Sequence, residues 1–452
     1  MGILSALLVM RLDVKYFLSL AFYRVLLFLL LPILILVLVV RSKNHSEYRQ
    51  RLSERLGFVD KSLKQQGIVV HAASVGEVIA LKTFIEKLLI SQPNTPITIT
   101  TFTPTGSAQV KKLFADNVQH CYLPIDCFVC TWLFMYRLKP KVMVFMETEI
   151  WPNLIAQCHT RQCKLLLING RLSAKSMKSY KKISGLISPS LQAFDQILTQ
   201  SQVNQDNFIA LGGSVLNCEL SGNVKFDISI TPSIINKQAE LQQLIIGERK
   251  LWVIASTHAG DEQLILNSFK HLYKQHPELL LVIVPRHPER FNEVAKLCIK
   301  QGFNTCKRSE NRPVDLNKHV WVLDTLGELM PMCALATIVT IGGSFSQIGG
   351  HNPLEPALFK KPVIVGADMK NFTEVMQQLT TANGVIQLNN ETDLINLAKV
   401  LTKRVDELLI NKNKRTTLGE NAYQVVLQNQ GASDRTLAHL ESILNDNGYK
   451  QR

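Results

Sequence analysis

The sequence predicts an α/β protein made of two doubly wound halves, each a parallel sheet flanked by helices, behind an apolar N-terminal helix. Three observations predict it. Short apolar runs alternate with amphipathic stretches from about residue 67, lapse over Phe226 to Lys250, and then restart. A length of 452 residues exceeds one ordinary domain, and 46% hydrophobic against 19% charged residues is enough to fill large cores. Tyr16 to Val40 carries Arg24 as its one charge.

Taken in order, that apolar stretch is long enough to enter a bilayer. Arg24 and Pro32 complicate a straight span, so the reading leaves open whether it crosses the membrane or lies in its interface. It lacks a small-residue cleavage site, so a removable signal peptide is not expected. The basic flank "RSKNHSEYRQRLSERLGF" should stay on the cytoplasmic side. The first half then pairs "IVVHAAS", "ITITTFTP", "VMVFMETE", "KLLLING" and "QILTQS" with helices. The second half does so with "LWVIAST", "LLLVIVPR", "VWVLDT", "LATIVTIGGS" and "PVIVG". The expected division is an anchor over 1–45, a first domain over 46–228, a linker over 229–250 and a second domain over 251–452. Ligands of such folds bind outside the carboxyl ends of the strands, which predicts a cleft between the two halves.

A formal net charge of +14 favours phosphate-bearing partners or an anionic membrane. No arginine-rich tract with interleaved aromatics, zinc-finger spacing or RNA-recognition signature is present, so nucleic acid is not expected. Nine scattered cysteines suit reduced thiols, and "CFVC" (Cys127 to Cys130) lacks the second CxxC or His pair that a zinc site needs. No metal or other cofactor is expected.

The residues able to do chemistry follow strand ends. "HAASVGE" puts Ser74 at a helix N-cap and Glu77 at the third helical position. That is either a capping box or a general base whose ionised form the helix terminus favours. In "METEIWPN", extended chain would point Glu147 and Glu149 to opposite sides, leaving one for a given pocket. "INGRLSAKSMKSYKK" is a basic segment open to a solvated-face or a phosphate- or bilayer-binding reading. "SGNVKFD" ends the first half with Lys225, a cation suited to a departing phosphate. "VPRHPERF" aims Arg286 out of a proline-bracketed turn, whereas His258, His287 and His351 have neither triad partners nor metal spacing. "DTLGELM" opens a helix with Thr325 as cap. "GGSFSQIGGHNPLE" opens another, with Asn352 as cap, Pro353 as first residue, and Glu355 placed for a capping box or a ribose.

In this order and spacing, these motifs resemble those of 3-deoxy-D-manno-octulosonic acid (Kdo) transferases, over nearly the whole chain. The resemblance implies a GT-B fold, two Rossmann-like domains facing across a cleft. It also implies an inverting, metal-independent transfer of one or more Kdo residues from CMP-Kdo to lipid IVA at the cytoplasmic face of the bacterial inner membrane. By motif, Glu77 looks like the proton acceptor, and Glu147 and Lys225 like transition-state stabilisers. Pro285 and Arg286, Leu326, Gly327 and Glu328, and Asn352, Pro353, Leu354 and Glu355 look like the CMP-binding segments. The glycine pairs before His351 look like part of that nucleotide cradle. "HAAS" and "TFTP" stand where the family's forms "HxVS" and "TMTP" are expected, and both keep the small or apolar character. Two other readings stay open at this stage: a GT-B transferase using a UDP-sugar on a lipid acceptor, and a noncatalytic membrane-surface binding module.

Overall fold

Two wholly parallel seven-stranded sheets organise the chain in the computed structural model, which describes residues 2–41, 47, 49–389 and 393–445. The first contains β1 (Ile68–His71), β2 (Ile97–Thr101), β3 (Gln119–Tyr122), β4 (Val142–Met146), β5 (Lys164–Gly170), β6 (Gln196–Thr199) and β7 (Cys218–Leu220), in the order β3-β2-β1-β4-β5-β6-β7. The second contains β8 (Leu251–Thr257), β9 (Leu280–Pro285), β10 (Thr305–Lys307), β11 (Val320–Val322), β12 (Ile338–Ile341), β13 (Val363–Val365) and β14 (Ile386–Gln387), in the order β10-β11-β9-β8-β12-β13-β14. All ten strands expected from the sequence are present. The four additional ones, β3, β7, β10 and β14, are the four edges.

Each sheet starts in its middle, winds out to one side and returns to the other. The direction of winding therefore reverses between β1 and β4 in the first sheet, registered Ile68 opposite Val142, and between β8 and β12 in the second, registered Trp252 opposite Ile338. Side chains that follow these strands meet at a crevice because the neighbouring connections leave in opposite directions. The inner strands are apolar throughout because helices cover both faces. Trp252, fully buried in the second core, satisfies its indole N–H by donating to Thr340 Oγ1 at 2.9 Å.

The chain divides into a unit of residues 1–227 with 430–452 and a unit of residues 228–429. This differs from the expected division in two places. The segment 229–250 is not a bare linker, since Thr231 caps a helix, Pro232–Leu244, that belongs to the second unit. The second domain does not run to 452, because the helix Ala432–Asn445 returns to the first unit. There Ala432 and Leu440 join the core formed by Phe84, Leu88 and Val224. Asp227 holds that return in place, its carboxylate accepting from the backbone N–H groups of Gly431, at 2.7 Å, and of Ser433. A carboxylate at a helix N-terminus satisfies donors that have no partner within the helix. The expected boundary at residue 45, and Ser42 to Ser46 and Tyr48 of the basic flank, lie outside the described residues.

The N-terminal helix spans Gly2–Arg41, and its stretch Val14–Val40 is long and apolar enough to cross a membrane. Leu31, Leu34 and Leu38 pack on Ile125, Cys127 and Cys130 of the first unit. Phe17, Phe22, Phe28, Leu29 and Leu36 are exposed. Arg24, out of place in an apolar stretch, donates to Asn153 Oδ1 at 3.0 Å and lies over the Phe128 ring. Tyr23 donates to the buried carboxylate of Asp126 at 2.9 Å, which also accepts from the backbone N–H groups of Asn153 and Leu154. The two "CFVC" thiols are buried under this helix.

Candidate active site

At the first switch point, β1 ends at His71 and the chain turns through Ser74 into the helix Val75–Ala80. Ser74 is the N-cap, and its Oγ accepts from Glu77 N. Glu77 reaches back, one oxygen accepting from Ala73 N at 2.8 Å and the other from Ser74 Oγ at 2.7 Å. The capping box and the carboxylate expected to act as a base are thus one residue. Gly76 beside it leaves room: a Cβ built there would meet nothing nearer than Ser74 Oγ at 3.9 Å.

Opposite, β4 ends at Met146, and Glu147 follows in the left-handed region at φ 59°. That conformation is strained for a residue with a Cβ and re-aims the carboxylate. It also corrects the expectation that Glu147 and Glu149 point apart, because the backbone is no longer extended there. Both carboxylates lie close enough to Glu77 to disfavour its ionisation. Burial is the larger cause. Together they push Glu77 up to about 7, against the hydrogen bonds from Ser74 and Ala73. The local expectation was a carboxylate kept ionised by the helix terminus, and desolvation reverses it.

Lys225 Nζ is 3.6 Å from Glu147 Oε1, both side chains being largely buried. A chain of buried amides, none singled out from the sequence, sets this position. Asn169, itself left-handed at the end of β5, accepts from Val224 N at 3.1 Å. Gln200 donates to Asn169 O at 3.0 Å and accepts from Asn223 Nδ2 at 3.1 Å, and Asn223 Oδ1 accepts from Lys225 N at 3.0 Å. Glu149 is oriented by Trp151 Nε1, at 2.8 Å, and by the buried ring of His71, at 3.5 Å. Its residue type and its place two positions after Glu147 were the available signal. The first unit therefore gathers three carboxylates after the adjacent strands β1 and β4 and brings one ammonium to them from beyond the edge strand β7. The basic helix Ala174–Lys182 leaves Lys175, Lys181 and Lys182 exposed.

In the second unit the expected segments all follow carboxyl ends of strands. Pro285 is the last residue of β9, and Arg286, exposed, donates its backbone N–H to Thr257 O at 3.1 Å. Asn352 and Glu355 meet across 3.4 Å. Burial pushes Glu355 up to about 7, opposed by that hydrogen bond and by the charge of nearby Arg286. The helix here is only Leu354–Leu358. Asn352 Oδ1 accepts from Leu354 N at 3.1 Å, so the turn closes one residue later than the expected cap. Likewise the helix after "DTLGE" starts at Leu329, not at Thr325, whose hydroxyl bonds the Glu328 carboxylate. Glu328 is buried between Lys237 at 3.1 Å and Arg308 at 3.2 Å. Leu326, Gly327 and Glu328 line a cavity of about 530 Å³ with Ser233, Lys237 and Pro331. The glycine pairs let the chain pack closely. A Cβ on Gly342 would lie 2.6 Å from Ser256 O, and one on Gly350 would lie 2.1 Å from Met369 Sδ.

The sequence profile described as 3-deoxy-D-manno-octulosonic-acid transferase (kdotransferase) matches residues 50–228. The chain is 39% identical to a 3-deoxy-D-manno-octulosonic acid transferase of Haemophilus influenzae over 94% of its own length and 99% of that protein's. It is 32% identical to one of Rickettsia typhi over 85% of this chain and 81% of that protein. Among solved structures, the UDP-GlcNAc 2-epimerase from Neisseria meningitidis superposes with a TM-score of 0.53, covering 84% of this chain and all of that one. At 14% identity that likeness concerns the fold alone.

Proposed function

As this chain belongs to the 3-deoxy-D-manno-octulosonic acid (Kdo) transferases, glycosyltransferases of lipopolysaccharide biosynthesis, we propose that Glu77 is the general base of the transfer. The donor would be CMP-Kdo, the acceptor lipid IVA, and the outcome inversion at the anomeric carbon. The single observation that carries the reading is the Glu77 carboxylate. It is held by Ala73 and Ser74, pushed up to about 7, and set beside the Glu147–Lys225 pair at the switch point of the first sheet. A base with a pKa near the working pH combines a substantial ionised fraction with real driving force for proton removal. An acceptor hydroxyl hydrogen-bonded to Glu77 loses its proton as its oxygen attacks. Lys225, paired with Glu147, supplies a fixed positive charge where negative charge develops, without needing to reorganise during the reaction.

On the second unit, Arg286 and the segments Leu326–Glu328 and Asn352–Glu355 would hold the CMP moiety, with Arg286 answering the phosphate. The proposal includes no metal, the required positive charge coming from Arg286 and Lys225. The exposed face of the N-terminal helix and the exposed lysines of Ala174–Lys182 suit a bilayer with anionic lipid, which we assign to the cytoplasmic face of the inner membrane.

The test is a mass-spectrometric transfer assay with purified protein in detergent, lipid IVA, CMP-Kdo and excess chelator. A mass gain of one or more Kdo units supports donor, acceptor and metal independence together. Gain only with UDP-sugars overturns the donor. Gain only without chelator overturns metal independence.

A further inference from the structure

The second sheet has its own switch point, between β8 and β12, and the side chains that meet there are His258 and His351. Their Nε2 atoms are 2.8 Å apart, the ring planes are 5° from parallel and the centroids are 5.0 Å apart. Face-stacked rings keep roughly 3.5 Å between planes, so these imidazoles lie edge to edge, nitrogen facing nitrogen. One Nε2 carries a hydrogen and the other accepts it, which makes the pair a single-proton bridge.

The seat is built. Asp261, buried, accepts from His258 N at 2.9 Å and from Gly343 N at 2.7 Å, tying the β8 turn to the β12 turn. Gly343 is left-handed at φ 68°, and a Cβ there would lie 3.1 Å from the His351 ring. His287, two residues past the end of β9, packs edge-on against His258 at 5.2 Å. The charged groups facing the pair are cationic or already engaged. Arg286 and Arg290 face it, and the His287 ring lies against it. Of the carboxylates, Asp261 is held by backbone N–H groups, Glu262 by Arg290 at 2.7 Å, and Glu355 by Asn352. Burial and the surrounding positive charge keep both imidazoles neutral in the free chain, His351 being driven down to about 3.

Resting on the reading of this unit as the nucleotide-binding half, we propose that the His258–His351 pair is a proton-linked phosphate site. A nucleotide phosphate inserts into the imidazole–imidazole bridge, is held by Nε2–H of both rings beside Arg286, and draws one proton from solvent. The anion supplies the negative charge whose absence keeps the free pair neutral.

The experiment is calorimetry on the full chain in detergent, with CMP and with cytidine as probes, at pH 7.5 in two buffers of different ionisation enthalpy. A phosphate monoester has its second pKa at about 6, so at pH 7.5 proton uptake on CMP binding reports the protein. Expected are uptake of half a proton or more with CMP and none with cytidine. His258→Asn and His351→Asn should each weaken CMP at least tenfold and abolish the uptake, at unchanged cytidine affinity. Zero uptake by the wild-type chain on binding CMP overturns the proposal without recourse to any variant. So does unchanged CMP affinity in folded variants. A wild-type chain that binds no CMP at all overturns the nucleotide reading itself, and the dyad falls with it.

Discussion

Replacing Glu77 with Gln should separate activity from stability in opposite directions. Removing a positioned general base lowers turnover by about 10²- to 10⁴-fold. The same change should stabilise the fold at neutral pH. Burial raises the carboxyl from its ordinary 4.5 to about 7, so ionising it inside the protein is unfavourable. At about 1.4 kcal/mol per tenfold change in the ionisation constant, the upper bound is roughly 3 kcal/mol. Part of this is offset because Gln keeps only one of the oxygens that accept from Ala73 and Ser74. About 1–2 kcal/mol should remain, or roughly 2–6 °C in Tm for a unit of this size.

The sign is fixed by linkage. A carboxyl with a raised folded-state pKa favours folding fully below its unfolded pKa, and that contribution is lost as pH rises through about 7. The stabilisation by Gln is therefore largest near pH 8 and absent near pH 4. Wild-type kcat/KM should fall about tenfold per pH unit below 7 and level off above it. The assays are Kdo transfer by mass spectrometry across pH 5.5–8.5, and thermal melts of both proteins at pH 4, 6 and 8. Turnover within a few-fold of wild type, or a Tm difference that does not change with pH, would refute the reasoning.

Glu147→Gly should abolish transfer while leaving Tm unchanged or up by the equivalent of about 1 kcal/mol, since glycine accepts the left-handed φ without strain; a lower Tm would show that the ion pair with Lys225 outweighs backbone strain. Asn223→Ala, which removes the amide that positions Lys225, should lower kcat at least tenfold and destabilise by about 1–3 kcal/mol, with KM for the acceptor nearly unchanged; steady-state kinetics showing only a KM change would contradict it. Asp227→Ala should destabilise by about 1–3 kcal/mol through two unmet backbone donors. Limited proteolysis should then cut near residue 430 before any site in 228–429, and an unchanged cleavage pattern would count against the latch.

Ten strands were legible because interior strands of a parallel sheet are apolar on both faces and read as continuous runs. The four that were not, "QHCY", "CEL", "TCK" and "IQ", are edges: two to four residues long and partly solvated, they lack that signature. Ser74 and Glu77 were legible as a cap because a capping box is local, spanning four residues. Helix starts at Leu329 and Leu354 were misplaced because Thr325 and Asn352 use their side chains in turns that precede the helix. The return of Ala432–Asn445 was invisible, since its apolar stripe matches any apolar partner and only Asp227 selects one.

By itself, then, the sequence determined the alternation of strands and helices, the apolar N-terminal segment, and which strand ends carry carboxylates, amides and cations, because these are set by neighbours within a few residues. Tertiary structure alone decided that β1 lies against β4, and so that Glu77 faces Glu147 and Glu149. It also decided that Asn169, Gln200 and Asn223 aim Lys225, and that His258 meets His351. The physical reason is that desolvation and Coulomb interactions depend on distance in space, and the order of strands in a sheet brings together residues about 70 to 90 positions apart. That is why a carboxylate that reads locally as stabilised in its charged form is instead raised to about 7.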